Sequence, residues 1–154
     1  LAVLENLIKL KDPSSAELLL AALESQETAV IAKAVALSGR YQIPEVAGVI
    51  VGKIVPISLR KSDLPLNEAI IKALGLIGNP DVVPALERIV RKKWTFSPLR
   101  LSRTKTILYE SLEAYPPESI EGLIRWGLKS KSHRTREACR RLEYRDTLIR
   151  GTNN

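Results

Sequence analysis

One pattern recurs along the chain and restricts what it can fold into: an apolar helical stretch, a turn opened by proline, and a second apolar helical stretch. Ile31-Ala-Lys-Ala-Val-Ala-Leu-Ser-Gly39 aligns with Ile70-Ile-Lys-Ala-Leu-Gly-Leu-Ile-Gly78 at an offset of 39. Shortly after each comes a proline, an acid and a valine, Pro44-Glu45-Val46 and Pro80-Asp81-Val82. The same punctuation returns at Pro13-Ser14-Ser15-Ala16 and Pro117-Glu118-Ser119-Ile120, so the four prolines lie 31, 36 and 37 residues apart. A unit of this length cannot bury its apolar face alone; neighbours must stack to build a continuous core.

Both halves of the unit carry helical spacing. Second stretches read Ala16, Leu19, Leu20, Leu23; Val46, Ile50, Ile54; Val82, Val83, Leu86, Val90; and Ile120, Leu123, Ile124, Leu128. First stretches read Leu4, Leu7, Ile8; Ile31, Val35; Ile70, Leu74, Ile77; and Ile107, Leu108, Leu112. Proline suits helix entry, where its missing N–H is not needed and its fixed φ is already helical. Glu45, Asp81 and Glu118 follow in the first turn, a favourable place for a negative charge. Gly39 and Gly78 are expected to close the first helices in the left-handed conformation. The apolar Val49-Ile50-Val51 invites a strand reading, but Gly48, Gly52 and the repeat frame argue for helix. Residues 134–150 form one more helix, with Ala138, Cys139, Leu142 and Ile149 on one stripe. It is either a polar cap on the stack or the first half of a fifth pair.

The stretch Glu68-Ala-Ile-Ile-Lys-Ala-Leu-Gly-Leu-Ile-Gly-Asn-Pro-Asp-Val-Val-Pro-Ala-Leu86 resembles HEAT-type repeats, in particular the short bacterial group that includes the phycobilin-lyase-like repeats. Thr28 to Ile50 resembles them less closely. The resemblance implies a right-handed α-α superhelix, all-α, of about four helix pairs over residues 1–131 plus the C-terminal helix. It also implies second helices lining a concave, partner-binding face. The connections 55–66 and 93–100 depart from the family's short turns. Residues 1–150 are expected to form one domain and 151–154 a disordered tail. Because Leu1 already lies in an amphipathic stretch and Met is absent, the domain is expected to be part of a longer protein.

Charge is uneven along the chain. Residues 1–90 hold 9 Lys and Arg against 10 acids, whereas residues 91–154 hold 15 against 7. The whole positive excess therefore lies toward the C-terminus, a distribution that attracts anionic partners. Three groups of side chains are candidates for contact. The first is the segment 91–105, where Trp94 and Phe96 sit among Arg91, Lys92, Lys93, Arg100, Arg103 and Lys105. Cations that neutralise phosphate beside aromatic faces suit single-stranded nucleic acid. The same aromatics suit a seal between repeats better still, since a scarce aromatic in a stack of repeats usually closes a junction, and the same cations suit a helix C-terminus. The second is a row along the second helices, Lys53, Arg88, Arg125 and Lys129, with Trp126 beside Arg125. The third is the arginine set of the last helix, including Arg136, Arg140 and Arg141, whose forked guanidinium pairs bidentately with carboxylate or phosphate. Pairing of Glu137 with Arg141 within the helix would absorb part of that set.

Catalysis finds little support. A single His133 and a single Cys139 cannot assemble a His-rich or thiolate metal site, and no phosphate-loop, dinucleotide or metalloprotease motif occurs. No metal and no cofactor is implied. Some HEAT-like solenoids are enzymes, namely the alkylpurine DNA glycosylases and the bilin lyases. For the former only Asp146 offers a stand-in carboxylate; for the latter the repeat similarity stands alone. No run of about 18 apolar residues suggests a membrane span, and without a basic n-region or small-residue cleavage site the N-terminal stretch is not expected to be a secretory signal. The expectation is a cytoplasmic, non-catalytic scaffold or binding module that engages an acidic macromolecule, a protein first and a nucleic acid second. The residues expected at that surface are Arg88, Arg91, Lys92, Lys93, Trp94, Arg100, Arg103, Arg125, Trp126, Lys129, Arg136, Arg140 and Arg141.

Overall fold

A computed structural model describes residues 2–9, 14–54, 64–92 and 97–152, without the side chains of 2–4 and 148–152. Among them every regular element is helical: α1 (Ala2–Lys9), α2 (Ser14–Leu23), α3 (Thr28–Arg40), α4 (Ala47–Gly52), α5 (Leu64–Ile77), α6 (Val83–Arg91), α7 (Pro98–Glu110), α8 (Pro117–Gly127) and α9 (His133–Thr152). The first helices α3, α5, α7 and α9 pack on one another in sequence, and so do second helices α2 with α4 and α6 with α8. The result is the stack of four pairs plus one terminal helix that the repeats imply. Val49-Ile50-Val51 lies inside α4 and is helical.

Local chemistry explains the pair boundaries. Pro44 and Pro80 each open a single 3-10 turn that leads into α4 and α6, and Pro117 is the first residue of α8. The Asn79 side chain accepts the Asp81 N–H at 2.9 Å, satisfying a donor at the helix start. Gly78, at φ +67°, ends α5 as expected, and its N–H reaches the Leu74 carbonyl at 3.0 Å.

The second unit departs from the expected register. Gly39 lies within α3, which runs on to Arg40; the left-handed residue there is Gln42, at φ 52°. Gln42 and Gly78 are 36 residues apart, so the stack repeats at 36 and the aligned offset of 39 is not the structural one. The glycines show why. A Cβ on Gly39 would lie 2.7 Å from the Ala73 Cα, and one on Gly75 would lie 2.5 Å from the Ser111 Cβ and against its carbonyl oxygen. Gly39 and Gly75 are thus equivalent points, 36 residues apart, where one first helix touches the backbone of the next. The second helix of that unit is also shorter than expected: α4 stops at Gly52, leaving Ile54 beyond it.

The core follows the two layers. Val35, Ile70, Leu74, Leu108 and Leu112 come from the first-helix side; Leu19, Ile50, Leu86 and Ile120 come from the second. Each such side chain contributes on the order of 1.5–3 kcal/mol by leaving water. Two tyrosines pin the helices, one between adjacent units and one within a unit. The Tyr115 hydroxyl donates to the Leu74 carbonyl at 3.0 Å and the Tyr109 hydroxyl to the Leu123 carbonyl at 3.0 Å. Burial raises both phenols well above their ordinary range, keeping each a neutral donor.

Helix α9 buries Ala138, Cys139 and Leu142 and turns His133, Glu137, Arg140 and Tyr144 outward. Its outward face is mainly polar among the described side chains and also carries the exposed ring of Tyr144. Cys139 fills the space above Gly127, and burial pushes its thiol up to about 12, the environment of an inert packing cysteine. Ile149 lies outside the described side chains.

Candidate functional site

Contacts between adjacent helices fix the direction of each layer. Glu87 and Arg91 of α6 lie against Gly122 and Trp126 of α8, in the same order along both helices. Glu68 of α5 meets Arg103 of α7, and Gly75 meets Ser111 farther along. All first helices therefore run one way and all second helices the other, and the stack has two edges. At one edge the chain turns within a pair; at the other it passes from one pair to the next.

The cations divide according to these edges. C-terminal ends of α6 and α8 bring Arg88, Arg91, Lys92, Arg125 and Lys129 to the inter-pair edge. The acids Glu45, Asp81, Glu113 and Glu118 collect at the opposite edge, beside the starts of second helices. The positive excess is therefore arranged across the width of the stack as well as along its length. Helix dipoles favour this partition, since cations belong at C-termini and carboxylates at N-termini.

Much of the basic set is already engaged. Arg103 grips Glu68 with Nε at 2.6 Å and NH2 at 3.3 Å, and this pairing raises the guanidinium pKa further above its ordinary value. Arg134 grips Glu110 and Arg40 meets Glu5, so three arginines tie successive first helices together. Arg136 donates to the carbonyls of Ser130 and Lys131, closing the turn before α9. Lys105 donates to the Lys92 carbonyl at 2.7 Å; its partial burial lowers its pKa. Lys53 is bound to Glu24 at 3.0 Å, which removes it from the expected row. Glu137 faces His133 at 3.8 Å, so the expected pairing with Arg141 is not the one formed.

What remains is smaller and more definite. Among the described residues no ion pair or hydrogen bond holds the side chains of Arg88, Arg125, Lys129, Arg140 or Arg141. Arg88 and Arg125 are exposed on the adjacent second helices α6 and α8, and Lys129 just past the end of α8; Trp126, 43% exposed, faces Arg91 of α6, while Arg125 lines the groove between α8 and α9. Arg91 lies over the indole at 5.6 Å from the ring centroid and is bound to Glu87 at 3.0 Å. Arg140 and Arg141 lie apart on α9, Arg140 exposed and Arg141 lining the groove toward α7 with Glu110 and Glu113. Arg100 stands near the start of α7 with an interaction of its own. Lys93, Trp94 and Phe96 lie outside the described residues. The Glu87–Arg91–Trp126 contact was not anticipated from sequence, although Glu87 and Arg91 stand at i and i+4, a spacing that signals a helical pair.

Two further features bear on chemistry. A groove of about 470 Å³ between α8 and α9 is lined by Glu121, Ile124, Arg125, Leu128, Glu143, Asp146 and Thr147. Its Asp146 carboxylate accepts from Arg145 Nε at 3.0 Å and NH2 at 2.7 Å, and Arg145 also donates to the Glu113 and Tyr115 carbonyls. The carboxylate thus anchors the guanidinium that holds α9 against the turn after α7. Among the described residues no group of three or more His, Cys, Asp or Glu could hold a metal ion. Nor is any helix among them long and apolar enough to cross a membrane.

With paired helices, a 36-residue register and glycine contacts established, the family comparison is decisive for the fold. Residues 66–91, most of α5 and all of α6, match the family model of the PBS lyase HEAT-like repeat. One unit of the stack is thus a HEAT-like repeat, and the paired helices around it are HEAT-like in fold. No curated protein and no solved structure matches the chain. The matched segment carries Glu68, Gly75, Gly78, Glu87, Arg88 and Arg91. It therefore covers both the close helix contact and one half of the candidate surface.

Proposed function

We propose that this chain is a non-catalytic binding module, one domain over residues 1–150 acting in the cytoplasm. Its inter-pair edge at α6 and α8 engages an acidic macromolecular partner, a protein. The observation that carries this reading is the set Arg88, Arg125 and Lys129, three exposed cations near the ends of α6 and α8 that no ion pair holds among the described residues. The remaining expected residues have other work: Arg103 and Arg136 bind the fold's own acceptors, while Arg91 and Lys92 border the surface. Arg100, Arg140 and Arg141 contribute long-range attraction, which speeds capture of an anionic partner more than it tightens the complex.

The test is a titration with poly-L-glutamate and with single- and double-stranded oligonucleotides, at about 50 and about 300 mM salt. Glutamate polymer is expected to bind at low salt and to weaken as salt screens the contacts. Tighter binding of an oligonucleotide, with a steep salt slope, would replace the protein partner with a nucleic acid. Absence of binding to either polymer at low salt would refute the reading.

A further inference from the structure

The α6–α8 contact is built to hold an indole in place. Gly122 has no side chain, and a Cβ there would lie 2.9 Å from Glu87 Oε1. The Glu87 carboxylate occupies that space, and its other oxygen holds Arg91 NH2 at 3.0 Å. Arg91 in turn covers the Trp126 ring, which remains 43% exposed. Gly122, Glu87 and Arg91 thus form a relay that fixes one face of Trp126 and leaves the rest to solvent. An indole with its rotamer already set loses little conformational entropy on contact, the property of an interface anchor.

We infer that Trp126 is the apolar anchor of a site for a short acidic polypeptide segment, one that places a large apolar side chain on the indole and carboxylates against Arg88, Arg125 and Lys129. The inference rests on the proposed binding role and specifies its ligand. Charge favours a polypeptide over a nucleic acid here. Among the described residues three cations of this edge lack an ion pair, fewer than the six to ten or so phosphate contacts of a typical nucleic-acid complex. Glu87 stands beside Arg88 and binds Arg91, and Glu121 lines the same groove as Arg125, so a continuous phosphate chain would meet carboxylates. A peptide can place an acid at each cation and an uncharged residue opposite each carboxylate.

The probes are two ten-residue peptides of Glu and Asp, one with a central Phe and one with Ser in its place, together with a ten-nucleotide oligothymidylate. In the W94F protein Trp126 is the sole tryptophan and reports directly by fluorescence. The Phe peptide is expected to bind about two- to tenfold more tightly than the Ser peptide and to shift the indole emission. Trp126→Ala should abolish that preference while leaving the salt-dependent binding of both peptides. Glu87→Gln, which loosens Arg91 without touching the ring, should reduce the preference and alter emission in the unbound protein. An unchanged Phe-to-Ser preference in both variants, or tighter binding of oligothymidylate than of either peptide, would overturn the inference and leave the acidic-partner reading to its own titration. Absence of binding by either peptide would overturn both.

Discussion

Replacing Gly75 by alanine places a methyl group where α5 meets the backbone of the following unit. The new Cβ would lie 2.5 Å from the Ser111 Cβ and against its carbonyl oxygen, about 1 Å inside an ordinary carbon contact. Backbone cannot rotate away, so α5 and the turn after α7 must separate. Overpacking of this kind costs up to about 3 kcal/mol. The same separation strains the Tyr115 hydroxyl bond to Leu74, 3.0 Å long, for about another 1 kcal/mol. Alanine's better helix propensity returns about 1 kcal/mol. The expected net loss is about 3 kcal/mol, a fall in Tm of roughly 6–12 °C for a domain of this size. Gly48 supplies the control. A Cβ there meets nothing within 4 Å, so Gly48→Ala should stabilise by about 0.5–1 kcal/mol. Urea denaturation followed by circular dichroism measures both midpoints. Equal behaviour of the two variants, or a Gly75→Ala protein as stable as wild type, would refute the close-contact register.

Tyr115→Phe should cost about 0.5–1.5 kcal/mol, at the mild end because the Leu74 carbonyl also accepts the Gly78 N–H, and the urea midpoint reads it directly. Arg145→Met should destabilise by about 2–4 kcal/mol by leaving the Asp146 carboxylate largely buried without its partner. Adding Asp146→Asn should recover part of that loss in a double-mutant cycle. Cys139 should resist iodoacetamide at pH 8 in the folded protein and react readily in urea. Its folded pKa of about 12 exceeds the ordinary 9.0, so above pH 9 the unfolded chain loses this proton first. Stability should then decline between about pH 9 and 12, by up to about 1.4 kcal/mol per pH unit for this group, as urea midpoints at pH 8 and 10.5 would show.

The helix pairs were legible because their signals are local: proline punctuation, first-turn acids and apolar spacing all lie within one unit. The register was not. Gly39 and Gly78 look equivalent in sequence, but the left-handed position of the earlier unit belongs to Gln42, and the glycines that matter at 39 and 75 are set by Ala73 and Ser111, more than thirty residues away. The surface was legible in the same partial way. Composition located the basic half, and Arg88, Arg125, Trp126 and Lys129 were named from helix position. The identity of the engaged arginines depended on partners such as Glu68 for Arg103 and Glu110 for Arg134, which only stacking brings near. Arrangement of charge across the width likewise depends on helix direction, a property of neighbouring units together.

Two triple variants remove the same charge from different places and therefore separate local recognition from bulk attraction. Arg88→Gln/Arg125→Gln/Lys129→Gln neutralises the unpaired cations of the inter-pair edge, whereas Arg40→Gln/Arg103→Gln/Arg134→Gln neutralises those already bound to Glu5, Glu68 and Glu110. Affinity for poly-L-glutamate at about 50 mM salt is the measurement, with circular dichroism confirming helix content in both. The first variant should lose about tenfold or more, and the second should stay within about twofold of wild type. Equal losses in the two would mean that net charge alone attracts the partner, and would contradict a binding site at the α6–α8 edge.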